Sequence, residues 1–321
     1  MTTSTKDLKS GIPLEVNLTL EEVFSIDGLL SEGIDVSPVV NKATGDIEAV
    51  DVSYNPNHNK GLSTTKNSQP TSFKLDLSDL KLGRDFIQVF SILQRTKMDV
   101  EVGSNDGTPL VYAFKNERGY RFKVAEDKKQ VEDIMDAVLL KFIKQYSQEI
   151  SSRTATVVLP SGNALNSRFA SRFKELAEQN GLKVNLYTKI FQKLTVEEVV
   201  DVVINDIHSQ FNRWIVSLPQ NVARTKRFRL DRYFDEMMKQ HNGEFSYHYI
   251  KDPEIRHRIS STMKLTGGAF KGDFKEINEC DVLMLDDTIS AGTSPKDACK
   301  LVCETYHPRS LLALPMFSRL S

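Results

Sequence analysis

The sequence is short of the residues that mark several common functional classes. Three cysteines in 321 residues, Cys280, Cys299 and Cys303, give no disulfide framework and suit a reducing compartment. Cys299 and Cys303 lie four apart in a helical pattern and read as packing residues. The six histidines are scattered, so no His/Cys cluster with zinc-ligand spacing is present. No apolar run approaches a membrane span, and the start, MTTSTKDLKSG, lacks the apolar core of a secretion signal. A cytoplasmic protein is therefore expected. A formal net charge of -1 argues against bulk nucleic-acid binding. The glycine-lysine ending of a P-loop and the G-x-G-x-x-G of a dinucleotide fold are both missing, and no serine or cysteine triad stands out.

What is present is an ordinary globular balance, 40% hydrophobic and 26% charged, enough for a substantial core. Residues 1–125 read as a strand-rich accessory region. Within it, EVNLTL and EAVDVSY alternate like strands, and the polar tract 51–72 reads as loop or disorder. YAFKNERGYRFK (112–123) reads as a hairpin.

From residue 126 the periodicity changes. Residues 126–146 carry apolar positions three and four apart, predicting a helix. Residues 156–159, 164–178 and 183–187 predict strand, helix and strand, a βαβ unit. A mainly helical insertion follows at about 195–250. Strand 281–285, helix 295–305 and strand 310–315 close the chain. The expected class is α/β: a mostly parallel sheet flanked by helices, occupying 126–321.

The stretch VLMLDDTISAGTS (282–294) carries the chemistry. An apolar strand ends in Asp286 and Asp287. Thr288, Ser290, Ala291, Gly292, Thr293 and Ser294 then lead into a helix. Ligands of open α/β sheets bind at that edge, and a helix N-terminus offers N–H groups to an anion. Carboxylates repel phosphate, so they would meet sugar hydroxyls or a cation. A ligand with one phosphate and a vicinal diol matches every part. On residues alone the acids can equally serve as helix caps.

This stretch resembles the phosphoribosyl-pyrophosphate loop of type I phosphoribosyltransferases. VVLPSGNALNSRFA (157–170) is similar to the family's pyrophosphate loop, particularly in its competence-protein-like members. EIRHRISSTMKLTGGAF (254–270) is similar to a basic segment of those members, with Arg256, Arg258 and Lys264 as basic candidates. The resemblance spans about 127–321. It implies that Asp286 and Asp287 hold the ribose hydroxyls and residues 288–294 the 5-phosphate. It also implies that Ser161, Gly162, Asn163 and Arg168 serve the pyrophosphate, with Lys189 and Arg258 as catalytic cations. Mg²⁺ would be bound mainly through pyrophosphate oxygens, with no protein metal cage. The implied activity is that of a pentosyltransferase, which moves the ribosyl phosphate to a nitrogen nucleophile and releases pyrophosphate. The alternative is a non-catalytic phosphoribosyl-pyrophosphate or nucleotide sensor acting through a partner. A homo-oligomer is expected. A nucleic-acid contact through the basic stretch from Arg224 to Arg232 is the less favoured expectation.

Overall fold

The structure, a computed structural model, describes residues 33–54, 61–64, 70–96, 107–148, 150, 154–240, 243–266, 279–289 and 292–319. The N-terminal half contributes β1 (Ile34–Val40), β2 (Asp46–Tyr54), β3 (Leu62–Ser63), β4 (Thr71–Asp76), β5 (Phe86–Ser91), β6 (Leu93–Arg95), α1 (Thr108–Lys115), β7 (Arg121–Phe122) and α2 (Ala125–Gln145). A βαβ unit follows, made of β8 (Thr154–Val158), α3 (Leu165–Gln179) and β9 (Asn185–Tyr187). Then come β10 (Phe191–Lys193), α4 (Val196–Val200), α5 (Gln210–Ser217), α6 (Gln220–Gln240), α7 (Pro253–Arg258) and β11 (Met263–Leu265). The chain returns to the main sheet with β12 (Asp281–Ile289), α8 (Thr293–Tyr306) and β13 (Ser310–Arg319).

One 11-stranded sheet runs β7-β2-β1-β3-β6-β13-β12-β8-β9, with β5 also on β13 and β4 on β5. The strands β13, β12, β8 and β9 are mutually parallel, whereas β1 to β3 and the β4–β5 pair are antiparallel. The architecture is thus a mixed sheet, mostly parallel at its centre, flanked by helices. Strands of the 1–125 segment and of the 126–321 segment share this sheet. Their apolar residues also share a core, in which Ile34 and Phe90 lie in one cluster with Phe142 and Leu285.

The central strands follow from their composition. The apolar run of β12 is buried on both faces, as parallel strands require. Successive side chains alternate: Leu283 and Leu285 join the cluster of Val138, Phe142, Phe169 and Phe173 from α2 and α3. Val282 and Met284 join Ala298, Cys299 and Val302 of α8 on the other side. Cys299 and Cys303 are packing residues of that layer. The helices of the insertion close a separate core of Val196, Phe211, Ile215, Leu230, Phe234 and Phe245. Its first helix starts on a capping box between Thr195 and Glu198.

Several expectations are corrected. The 112–123 stretch is not a hairpin. Leu110, Val111, Ala113 and Phe114 are buried at helical spacing in α1, and Pro109 starts that helix. Asn116 then ends it in the left-handed conformation, leaving only Arg121–Phe122 as a short strand parallel to β2. The 51–72 tract is not uniformly irregular: Asp51 to Tyr54 belong to β2, Leu62–Ser63 form β3, and Thr71 opens β4. Residues 55–60 and 65–69, and the EVNLTL stretch at 15–20, lie outside the described residues. The acid pair does not follow its strand, because β12 runs on through both acids to Ile289.

Candidate functional site

The position of the acids follows from how three strands end. β8 pairs with β12 only as far as Leu285↔Val158, with one further bond from Leu159 N–H to Leu285 O at 3.0 Å. Pro160 comes next and has no N–H to donate. On its other side β12 continues beside β13, from Asp286↔Pro315 to Ile289↔Ser318. Residues 286–289 therefore form a shoulder, held on one edge and open on the other. The chain leaves β8 towards β9 but leaves β12 towards β13, on the opposite side. The crevice between them is the topological switch point of the parallel sheet, where such folds bind ligands.

A cavity of about 530 Å³ opens there. Its wall includes Asp286, Asp287, Thr288, Gly292, Thr293 and Ser294 from β12 and α8, and Ser161, Gly162 and Asn163 after β8. Lys115, Glu117 and Arg118 come from the end of α1 and the turn after it. Lys193 comes from β10, and Tyr247 and Arg256 come from the insertion.

Asp287 is held on both oxygens. Lys115 Nζ lies 2.8 Å from Oδ1, and Ser161 Oγ donates to Oδ2 at 2.8 Å. Asp286 Oδ1 accepts from the Asp287 N–H at 2.8 Å and from Asn166 Nδ2 at 3.4 Å. Only 7% of Asp286 and 6% of Asp287 is exposed. Burial first, and the neighbouring Asp287 charge second, push the Asp286 carboxyl up to about 7. Thr288 Oγ1, in the same wall, is buried without a hydrogen-bond partner among the described residues, a group that a ligand would satisfy.

The other end of the cavity is built largely from backbone. Gly292 caps α8 in the left-handed conformation, φ 73°, with no side-chain cap. Thr293 and Ser294 of the first turn line the cavity at the positive end of the helix dipole, beside Pro295, which has no N–H to offer. A Cβ on Gly162 would lie 3.5 Å from Lys193 Nζ, so that ammonium stands over the loop after β8. The Arg256 guanidinium is anchored by donating to Ile250 O, from Nε at 3.1 Å and from Nη2, and desolvation lowers its pKa.

Of the residues expected from sequence, Ser161, Gly162, Asn163, Asp286, Asp287, Thr288, Gly292, Thr293 and Ser294 meet at this cavity. Ser290 and Ala291 lie outside the described residues. Four expected cations stand elsewhere. Arg168 is turned towards α1, donating to Phe114 O at 2.9 Å. Lys189 is exposed, and its carbonyl accepts from Thr266 Oγ1 at 2.8 Å. Arg258 packs over Trp214, 5.8 Å from the ring centroid. Lys264 pairs with Glu198 instead of the cavity. Lys115 and Lys193 supply cations that the sequence reading missed. Lys193 was legible as a charge at the end of a short strand after the βαβ unit. Lys115 had no local signal, since Asp287 is 172 residues away.

The basic stretch on α6 is largely spoken for. Lys226 pairs with Asp252 and Glu254 at 2.8 and 2.5 Å, and Arg229 pairs with Asp252 at 3.1 Å. Among the described residues no group of three His, Cys, Asp or Glu side chains could hold a metal ion. No described helix is long and apolar enough to cross a membrane. No protein-family model matches the chain, and no curated protein is similar to it.

Proposed function

We propose that the cavity binds 5-phosphoribosyl 1-pyrophosphate and that the protein transfers the ribosyl phosphate to a nitrogen nucleophile, releasing pyrophosphate. One observation carries this reading. Two adjacent carboxyls and the uncapped N-terminus of α8 share a single cavity at the switch point of a parallel sheet. The carboxylates suit a vicinal diol and repel phosphate; the helix end suits phosphate. A ribose 5-phosphate spans both.

In the proposed reaction the C1–O bond to pyrophosphate breaks and the electron pair leaves with pyrophosphate. The nitrogen lone pair forms the new bond to C1, and the nitrogen gives up a proton. Positive charge develops on the ribose ring, and Asp286 and Asp287, gripping the 2- and 3-hydroxyls, lie close enough to favour it. Lys193 and the loop at 161–163 would neutralise the leaving group. A Mg²⁺ ion carried on pyrophosphate oxygens would add to that neutralisation without a protein cage. The cavity wall, with Tyr247 and Phe245 from the insertion, would exclude water that competes with the acceptor.

A second reading rests on the Lys115–Asp287 contact. It couples the site directly to the N-terminal half, as a sensor of the same ligand would need. Incubation with phosphoribosyl pyrophosphate, Mg²⁺ and a panel of nitrogen bases separates the two. Base-dependent pyrophosphate release supports transfer, and tight binding without release supports sensing. No binding at all removes both.

A further inference from the structure

We infer that Lys115 is the positioning residue that opposes protonation of Asp286 beside Asp287, so that the N-terminal half sets the pH range over which the site can take a sugar diol. This rests on reading the acid pair as the diol site.

Asp286 and Asp287 lie side by side with 7% and 6% of their surface exposed, and burial together with the adjacent Asp287 charge resists ionisation of Asp286. The groups facing them come from every element packed around the pair. The loop after β8 gives the Ser161 hydroxyl. α3 gives the Asn166 amide. β12 gives the Asp287 N–H. α1 gives the Lys115 ammonium. Further along the cavity wall stand Glu117, Arg118, Lys193 and Arg256. Among the described residues Lys115 alone places a cation within ion-pair distance of either acid. Its charge opposes the upward push that burial and Asp287 exert on Asp286.

Lys115 is also held where it is. It is the last residue of α1, where a cation is favoured by the helix dipole. Leu110, Val111, Ala113 and Phe114 bury that helix in the core. Asn116 caps the helix with φ 55°, and Arg168 of α3 grips the Phe114 carbonyl. The Lys115 side chain is 14% exposed. An ionised pair accepts both hydrogens of a diol, whereas a pair that retains a proton presents a donor against the sugar. The cation from α1 therefore brings the pH at which Asp286 becomes an acceptor down towards neutrality.

The test is carbon-13 detection of aspartate carboxyls in the ligand-free protein, titrated from pH 4 to 10, with the Asp286 signal assigned by Asp286→Asn. Lys115→Met and Lys115→Gln should each raise the upper midpoint of the pair by about one pH unit or more, and Lys115→Arg should restore the wild-type curve. Binding of phosphoribosyl pyrophosphate should follow, with Lys115→Met recovering towards wild-type affinity at high pH. An unmoved or lowered midpoint in the Met and Gln variants overturns the inference, as does an equal rise in the Arg variant. So does a uniform loss of affinity at every pH. If the midpoints move as expected but the ligand does not bind, the inference on Lys115 stands and the proposed ligand falls.

Discussion

Ser161 Oγ donates to Asp287 Oδ2 at 2.8 Å, joining residues 126 apart in sequence. One lies just after β8 and the other near the end of β12. The bond spans the gap that opens where β8 stops pairing and β12 continues. It ties the loop after β8 to the end of β12 across the sheet's switch point.

The acid pair should cost stability in the absence of ligand. The Asp286 carboxyl is raised to about 7 from its ordinary value of 3.8, so the folded state holds a proton that the unfolded chain releases. Stability is greatest below about pH 4 as far as this group is concerned, and is lost progressively as pH rises to about 7. Asp286→Asn removes that slope. At pH 8 it should stabilise the ligand-free protein, by up to ~4 kcal/mol in denaturant unfolding. A destabilised Asn variant at pH 8 would show that the carboxylate is needed for folding.

Lys193 and Lys189 differ by position alone. Lys193 lines the cavity and Lys189 is exposed outside it. Lys193→Ala should weaken binding of phosphoribosyl pyrophosphate about tenfold, the loss expected for one charge-assisted contact. Lys189→Ala should leave it unchanged. Calorimetry on both variants checks the pair, and the reverse order would place the anion elsewhere.

Gly292 is required by backbone as well as by space. Its φ is 73°, and an added Cβ would lie 2.5 Å from Leu75 Cδ1. A side chain there meets Leu75 of β4. Gly292→Ala should destabilise by ~1–2 kcal/mol. Adding Leu75→Ala should relieve the steric part and leave the backbone part. Complete rescue in the double variant, by denaturant unfolding, would argue against the left-handed requirement.

The parallel part of the fold was legible because its signals are local. The apolar run before Asp286, the helical spacing of 126–146 and the strand-helix-strand of 156–187 each needed only neighbours in sequence. The strand ends were less so. Nothing in DDTI announces that β13 will carry β12 to Ile289 while β8 stops at Val158. The 112–123 stretch misled because Tyr112, Phe114, Tyr120 and Phe122 suggest strand alternation. The decisive signal was Pro109 at the first turn of a helix whose buried residues are Leu110, Val111, Ala113 and Phe114. In the site, the acid pair and the Ser161–Asn163 loop were readable from motif and order. Lys193 was readable only as a charge after the βαβ unit, and Lys115 not at all, since tertiary packing alone brings it to the cavity. Arg168 and Arg258 were over-read for the same reason: the sequence marks a cation but not the direction in which it points.

Removing both carboxylates should abolish the site without unfolding the protein. Asp286→Asn with Asp287→Asn should lower transfer at least about a hundredfold, as loss of a good transition-state contact does. Lys115 would then lie unpaired, so adding Lys115→Met should recover stability but not activity. Pyrophosphate release and thermal unfolding on the double and triple variants read the two effects separately. Wild-type turnover in the double variant would remove the acids from the mechanism.

The most direct measurement compares ribose 5-phosphate with 2-deoxyribose 5-phosphate by calorimetry at pH 8. The acids should recognise the diol while the helix end holds the phosphate common to both. The account predicts that ribose 5-phosphate binds, and that loss of the 2-hydroxyl weakens binding about tenfold or more, a buried acceptor being left unpaired. Equal affinity for the two sugars, or no affinity for ribose 5-phosphate, would contradict it.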